Sequence, residues 1–329
     1  MLFRDKTLAG YRRDRVIAVR HTESMAHLRS LAKSTILGLF VSAAIGFAAL
    51  ALRCPEYGQP ETLGTVTSIL LAEVSGLAVS ELNEGVIWAH NDSGDEARVY
   101  AMDPLGRLLA VWRFPEVEAI DCEDMAIGPW GDRGTSHLFL ADIGDNARTR
   151  DRVRIYIAPE PHVERVSDPG ECLLGSVEIL EAVYPDGPHD AETLLVDPLT
   201  GELYLLTKGW TEASVYRIPS GKDDRPSPGV MEAVARIPFA LATGGDVSSD
   251  GTQVLVRGYW SVMLWSRSAR QPLWTAFHES GCALPFAIEP QGEAIAFLPC
   301  GTAYITLSEG HGEAIYRFEQ RREAAAQEP

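Results

Sequence analysis

The chain has 329 residues, 46% of them hydrophobic, which is enough material to bury a full core, and it carries a net charge of −17. The charge is unevenly divided: residues 1–53 hold nine basic and three acidic side chains, and the remainder twenty basic and forty-three acidic. A body that acidic repels nucleic acid and anionic membrane surfaces, which excludes nucleic-acid binding, and it is at ease with divalent cations.

Residues 1–34 form a basic segment, and an uncharged run of 18 residues follows from Thr35 to Leu52. Arg12, Arg13, Arg15, Arg20, Arg29 and Lys33 precede that run, which is just long enough to span a bilayer as one hydrophobic helix. Two readings stand. One is a membrane anchor with a short cytoplasmic tail. The other starts translation at Met25, making 35–52 a signal h-region with Ala49-Leu50-Ala51 as the cleavage site. Both put the acidic body outside the cytoplasm, either membrane-anchored or secreted (periplasmic) after cleavage. Arg53 before Cys54 spoils a lipobox. Five cysteines show no C-x-x-C and no zinc spacing; Cys282 with Cys300 is one candidate pair.

After a linker at 53–61 the chain turns to short β-branched and aromatic runs broken by turn residues, which predicts an all-β architecture. The runs repeat. Each unit opens with an apolar strand, then a polar turn ("DPLTG", "SSDG", "LPCG"), a second strand with a polar end, and a third of the type "VYR" or "IYRF". Aligned on their opening strands, the units place Ser75, Glu123, Glu192, Thr243 and Glu293 in one column, at intervals of 48, 69, 51 and 50 residues. A four-stranded propeller blade needs about 40–50 residues, so the long interval holds one blade plus the insertion "PHVERVSDPGECLLG". The last unit lacks a fourth strand, and "GTVTSILLAE" (64–73) is spare at the other end. The expectation is a five-bladed β-propeller over 62–319 closed by an N-terminal strand, with a flexible tail at 320–329. A six-bladed ring is the alternative if the insertion hides a blade.

Opening strands line a propeller's channel, so the column becomes a ring at its mouth. Glu123, Glu192 and Glu293 converging there repel one another unless a cation sits between them. With Ser75 and Thr243 they offer an oxygen-only set suited to Ca²⁺, or to Mg²⁺ with more water retained. Asp121 and Asp190 precede two of these glutamates by two positions, where they read as outer-layer or solvent-facing groups. The plainer reading makes each glutamate structural glue to a neighbouring blade. Polar ends of the second strands add His90, Asn91 and Asp92, then Asp142, Lys208, Arg257 and Glu309. In an enzyme reading Lys208 and Arg257, with His90 and Asn91, hold an anionic substrate, and Asp92 or Asp142 positions water as general base. No G-x-S-x-G, H-E-x-x-H, P-loop or G-x-G-x-x-G occurs.

The ring order Ser, Glu, Glu, Thr, Glu, set in "SGLAV", "CEDMAI", "ETLLV", "TGGDV" and "GEAIAF", resembles the calcium-activated nucleotidase (apyrase) family. The resemblance implies a five-bladed propeller behind an N-terminal anchor, with Ca²⁺ in the channel and hydrolysis of phosphoanhydrides or phosphoesters. The family's acidic turn carries an Arg where Ser93 stands here. The strand-opening glutamates also resemble those of gluconolactonase and phytase-like propellers, which implies a lactonase-like alternative. A non-catalytic propeller that docks a protein or glycan, with the metal structural, is the reading from a different class. A five-bladed glycosidase is a third, weakened by Ser75 where an acid is needed.

Overall fold

The computed structural model describes residues 54–131, 135–164, 170–219 and 228–321. The basic segment 1–34, the apolar run 35–52 and the tail after Arg321 lie outside the described residues. Among the described residues no helix is long and apolar enough to cross a membrane, and the one helix is a short 3-10 segment, Leu273–His278.

The repeats fold as five antiparallel meanders arranged as blades. Blade one runs Val74–Val79, Ile87–Asn91, Arg98–Met102 and Leu108–Arg113; blade two runs Cys122–Pro129, Ser136–Asp142, Val153–Pro159 and Glu178–Val183. Blade three runs Ala191–Val196, Leu203–Thr207, Ala213–Ile218 and Glu232–Ile237; blade four runs Ala242–Val247, Gln253–Gly258, Ser261–Ser266 and Cys282–Leu284. Blade five has Gly292–Phe297, Ala303–Ser308 and Ala314–Glu319, and its fourth strand is Glu61–Thr65 from the N-terminal side.

Both faces of every blade meet a neighbour, which is why the strands read as nearly continuous apolar runs; all six residues of Ala191–Val196 are buried. The core is accordingly divided among the blade interfaces. Trp88, Trp112, Met125 and Leu140 pack between blades one and two, and Phe139, Ile155, Leu194 and Leu205 between two and three. Tyr204, Val215, Val256 and Trp265 fill the next interface, Leu264, Ile295 and Tyr304 the fourth, and Ile305 with Leu77 and Tyr100 the last. Each opening strand lies beside the opening strands of its two neighbours, closing the ring around a channel. The repeated turns owe their shape to glycine: Gly201 in "DPLTG" and Gly251 in "SSDG" sit at φ 72° and 69°, where a side chain is strained.

The five-bladed expectation holds, with three differences in detail. The closing strand is Glu61–Thr65, and residues 66–73 are a loop. The insertion after blade two's third strand carries Glu171–Leu173 back to blade one, where it pairs parallel with Leu108–Arg113 as a fifth strand and covers that edge. The segment expected as a linker is tied down from Cys54 onward: Tyr57 pairs with Gln320, and Cys54 is bonded to Cys282 across a separation of 228 residues. Cys282 is therefore not paired with Cys300, which is free and exposed.

Candidate metal centre at the channel mouth

In all five blades the register between the opening and second strands slips by one residue, between Val74 and Gly76, Cys122 and Asp124, Ala191 and Thr193, Ala242 and Gly244, and Gly292 and Ala294. The skipped residues are Ser75, Glu123, Glu192, Thr243 and Glu293. The column read from the sequence is thus a β-bulge repeated around the ring. A bulge takes one residue out of the ladder and re-aims its side chain, here toward the channel.

The five do not behave alike. Ser75 Oγ donates to the Glu123 carbonyl at 2.6 Å, and Thr243 Oγ1 lies 3.4 Å from the Gly292 carbonyl, so both hydroxyls fasten their blade to the next. Glu123 and Glu192 converge, both almost fully buried. Glu123 belongs to two groups of carboxylates whose oxygens lie within 4.8 Å of one another: Asp92, Asp121 and Glu123, and Glu123, Asp190 and Glu192. Asp121 and Asp190 thus join the centre, and the D-x-E spacing they share with Glu123 and Glu192 is the signal that could have placed them there.

The second strand's end in blade two is shaped to this cluster. Ile143 and Gly144 both donate backbone N–H to the Asp121 carbonyl at 3.1 Å, and Asp145 donates to Asp190 Oδ1 at 3.0 Å. A Cβ at Gly144 would overlap Glu123 Oε1 and Asp121 Oδ2, so glycine is required for the carboxylates to gather. Nothing in the sequence marked Gly144 for this role.

On the opposite side Lys208 is ion-paired with Glu192 and donates to Tyr259 Oη at 2.9 Å; Tyr259 in turn donates to Glu293 Oε1 at 3.1 Å. Tyr259, missed in the sequence, links the second glutamate to the third. Burial, and then Glu192, Asp92, Asp121 and Glu293, raise Glu123 far above the usual carboxylate range. Burial likewise lifts Glu192 to about 8 against the opposing pull of Lys208, and Glu309, beside Glu293, to about 8. Burial raises Asp92 to about 6, with Glu293 and Asp121 adding to it against the Ser93 N–H. The common cause is burial, to which the neighbouring acids add.

The remaining sequence candidates belong to neither carboxylate group. His90 is fully buried behind Gly76, its Nδ1 2.7 Å from the Asn91 carbonyl, and burial holds it neutral with a pKa near 4. Asn91 binds the loop before blade one, donating to the Leu70 carbonyl at 2.7 Å. Asp142 is saturated: it accepts from Asp121 N, Ile120 N and Tyr156 Oη and is ion-paired with Arg150 at 2.8 Å. Arg257 is 1% exposed, ion-paired with the equally buried Glu289 at 2.5 Å and bonded to the Ala294 carbonyl, between blades four and five.

Chemically the centre is a set of hard oxygen donors with no nitrogen or sulfur, so it suits Ca²⁺ or Mg²⁺. No protein-family model matches the chain, and no curated protein matches it. Among solved structures it is similar to a chain of one described as the crystal structure of the mitotic checkpoint complex. The TM-score is 0.35 at 11% identity, over 76% of this chain and 64% of that chain, just under two thirds of its length.

Proposed function

We propose that the channel mouth holds a divalent cation, Ca²⁺ in preference to Mg²⁺, and that the protein is a metal-dependent binding propeller working outside the cytoplasm. The observation that carries this is the bulge-aimed Glu123, shared by two carboxylate groups. The group of Asp92, Asp121 and Glu123 is the better holder, because among the described residues no basic side chain is ion-paired to any of the three, whereas Glu192 already has Lys208. When bound, the ion cancels the carboxylate repulsion and pins the opening strands to one another.

Loops on this same face expose Trp210 (81%), Trp260 (72%) and Ile288 (95%), the kind of rim that docks a protein or a glycan. The Cys54–Cys282 disulfide supports an oxidising compartment, hence a secreted, periplasmic or anchored protein.

The apyrase-like or phosphatase-like hydrolase implied by the sequence resemblance is the second reading. Asp92 favours it, as a partly exposed carboxylate in the cluster that could orient water. Against it, the cations needed to hold a phosphate are committed, Lys208 to Glu192 and Arg257 to Glu289.

Thermal unfolding with chelator, Ca²⁺ and Mg²⁺ tests the metal. An ion at a hundredfold excess over Kd stabilises the fold by about 2.7 kcal/mol. Indifference to chelator and to both ions, in protein carrying no tightly held metal, removes the site. Turnover of nucleoside diphosphates, phosphoesters or lactones that depends on Ca²⁺ moves the reading to the hydrolase.

A further inference from the structure

The channel has a second end. A cavity of about 500 Å³ opens where the five opening strands finish, walled by Val79, Ile127, Val196, Val247 and Phe297, one residue from each blade. Ile127 lies four positions along the strand from Glu123, about 13 Å at ~3.3 Å per residue, so this cavity is distinct from the acidic mouth. Its volume falls in the range that holds small organic molecules, and its walls are mainly apolar.

The polar lining is one-sided. Asp246, Glu81 and Glu84 face the cavity, together with Ser80 and Ser249, and among the described residues lining it none is Lys, Arg or His. Asp246 is fixed by two backbone donors, Val247 N and Phe297 N, both at 2.7 Å. A carboxylate has about four acceptor positions, so two remain for something else. Burial raises Asp246 to about 7, against those two N–H bonds, and Glu81 adds to the rise, which means that the two carboxylates sense each other. Burial and Glu160 raise Glu81 as well.

We propose that this cavity binds an organic amine, its ammonium group between Asp246 and Glu81 and its hydrocarbon body against the ring of Val79, Ile127, Val196, Val247 and Phe297. An ammonium carries three donors and can serve both carboxylates at once, and an apolar body replaces water along the wall. An anion is excluded by the charge, and a bare metal ion leaves the apolar wall unused.

The test is calorimetric titration of the full chain at mildly alkaline pH with phenethylamine and, separately, with phenethyl alcohol, which has the same shape and no charge. The amine should bind at least about tenfold more tightly. Asp246→Asn should erase the difference between the two probes. Glu81→Gln, at an exposed position whose loss spares the fold, should shrink it in the same direction. Glu192→Gln, at the mouth, should leave it intact, so the result is separable from the fate of the metal site. Equal affinity for the two probes, or no binding of either at millimolar concentration, overturns the proposal. So does an amine preference that survives both Asp246→Asn and Glu81→Gln.

Discussion

Glu123→Gln should stabilise the metal-free protein at neutral pH, although it replaces a buried, centrally placed carboxyl group. Glu123 is 4% exposed, so solvent screens it little, and burial with its acidic neighbours raises its pKa from 4.5 to about 11. Below pH 4.5 the carboxyl is neutral in both folded and unfolded chains, and its contribution is fully present. Above 4.5 the unfolded chain ionises while the folded one stays protonated, so stability falls by about 1.4 kcal/mol per pH unit until the pH passes the folded value. By pH 7 the loss is about 3 kcal/mol, and it does not depend on the folded pKa as long as that stays above 7. Glutamine keeps the shape and the neutral charge and escapes the penalty. Urea unfolding in chelator at pH 5, 6, 7 and 8 should therefore show the variant overtaking the wild type, with a gap that widens with pH. With Ca²⁺ present the order should reverse, because the variant loses a ligand. A variant less stable than wild type in chelator, by an amount flat across that pH range, would falsify this account of an uncompensated buried acid.

Gly144→Ala should cost about 1–3 kcal/mol, as overpacking does, and abolish any Ca²⁺-dependent rise in melting temperature; an unchanged response would show that the carboxylates need not gather. Arg257→Ala should destabilise by about 3–5 kcal/mol in denaturant titration, because it leaves Glu289 buried and unpaired, and a neutral effect would contradict the pairing. Deleting residues 61–65 should expose Ala314–Glu319 as a free edge and drive aggregation, seen by light scattering; a stable monomer would refute closure by that strand. Cys54→Ser should lower stability by up to about 5 kcal/mol, the chain-entropy limit for a loop this long, and added reductant should reproduce the shift in the wild type.

The amino-acid sequence by itself determined the blade repeat, the need for a closing strand from the N-terminal side, and the column of Ser75, Glu123, Glu192, Thr243 and Glu293, whereas the choice of five blades over six waited on where the insertion after blade two's third strand goes. These are consequences of local pattern: apolar runs of strand length, turns at blade spacing, and a polar residue always at the same distance from the apolar core. It could not decide what those polar residues touch. The column coincides with a bulge that re-aims Glu123 and Glu192, and Asp121 and Asp190, just ahead of their strands, join the carboxylate groups there. Arg257 met Glu289, 32 positions away, and Asp142 met Arg150 and Tyr156, because packing between and within blades turned those side chains inward. Cys54 reached Cys282, and Glu171–Leu173 returned to blade one, only once the ring had brought distant segments side by side. Periodicity sets the face a residue lies on, whereas its hydrogen-bond and charge partners are chosen by the neighbouring blade, and that choice exists only in the closed ring.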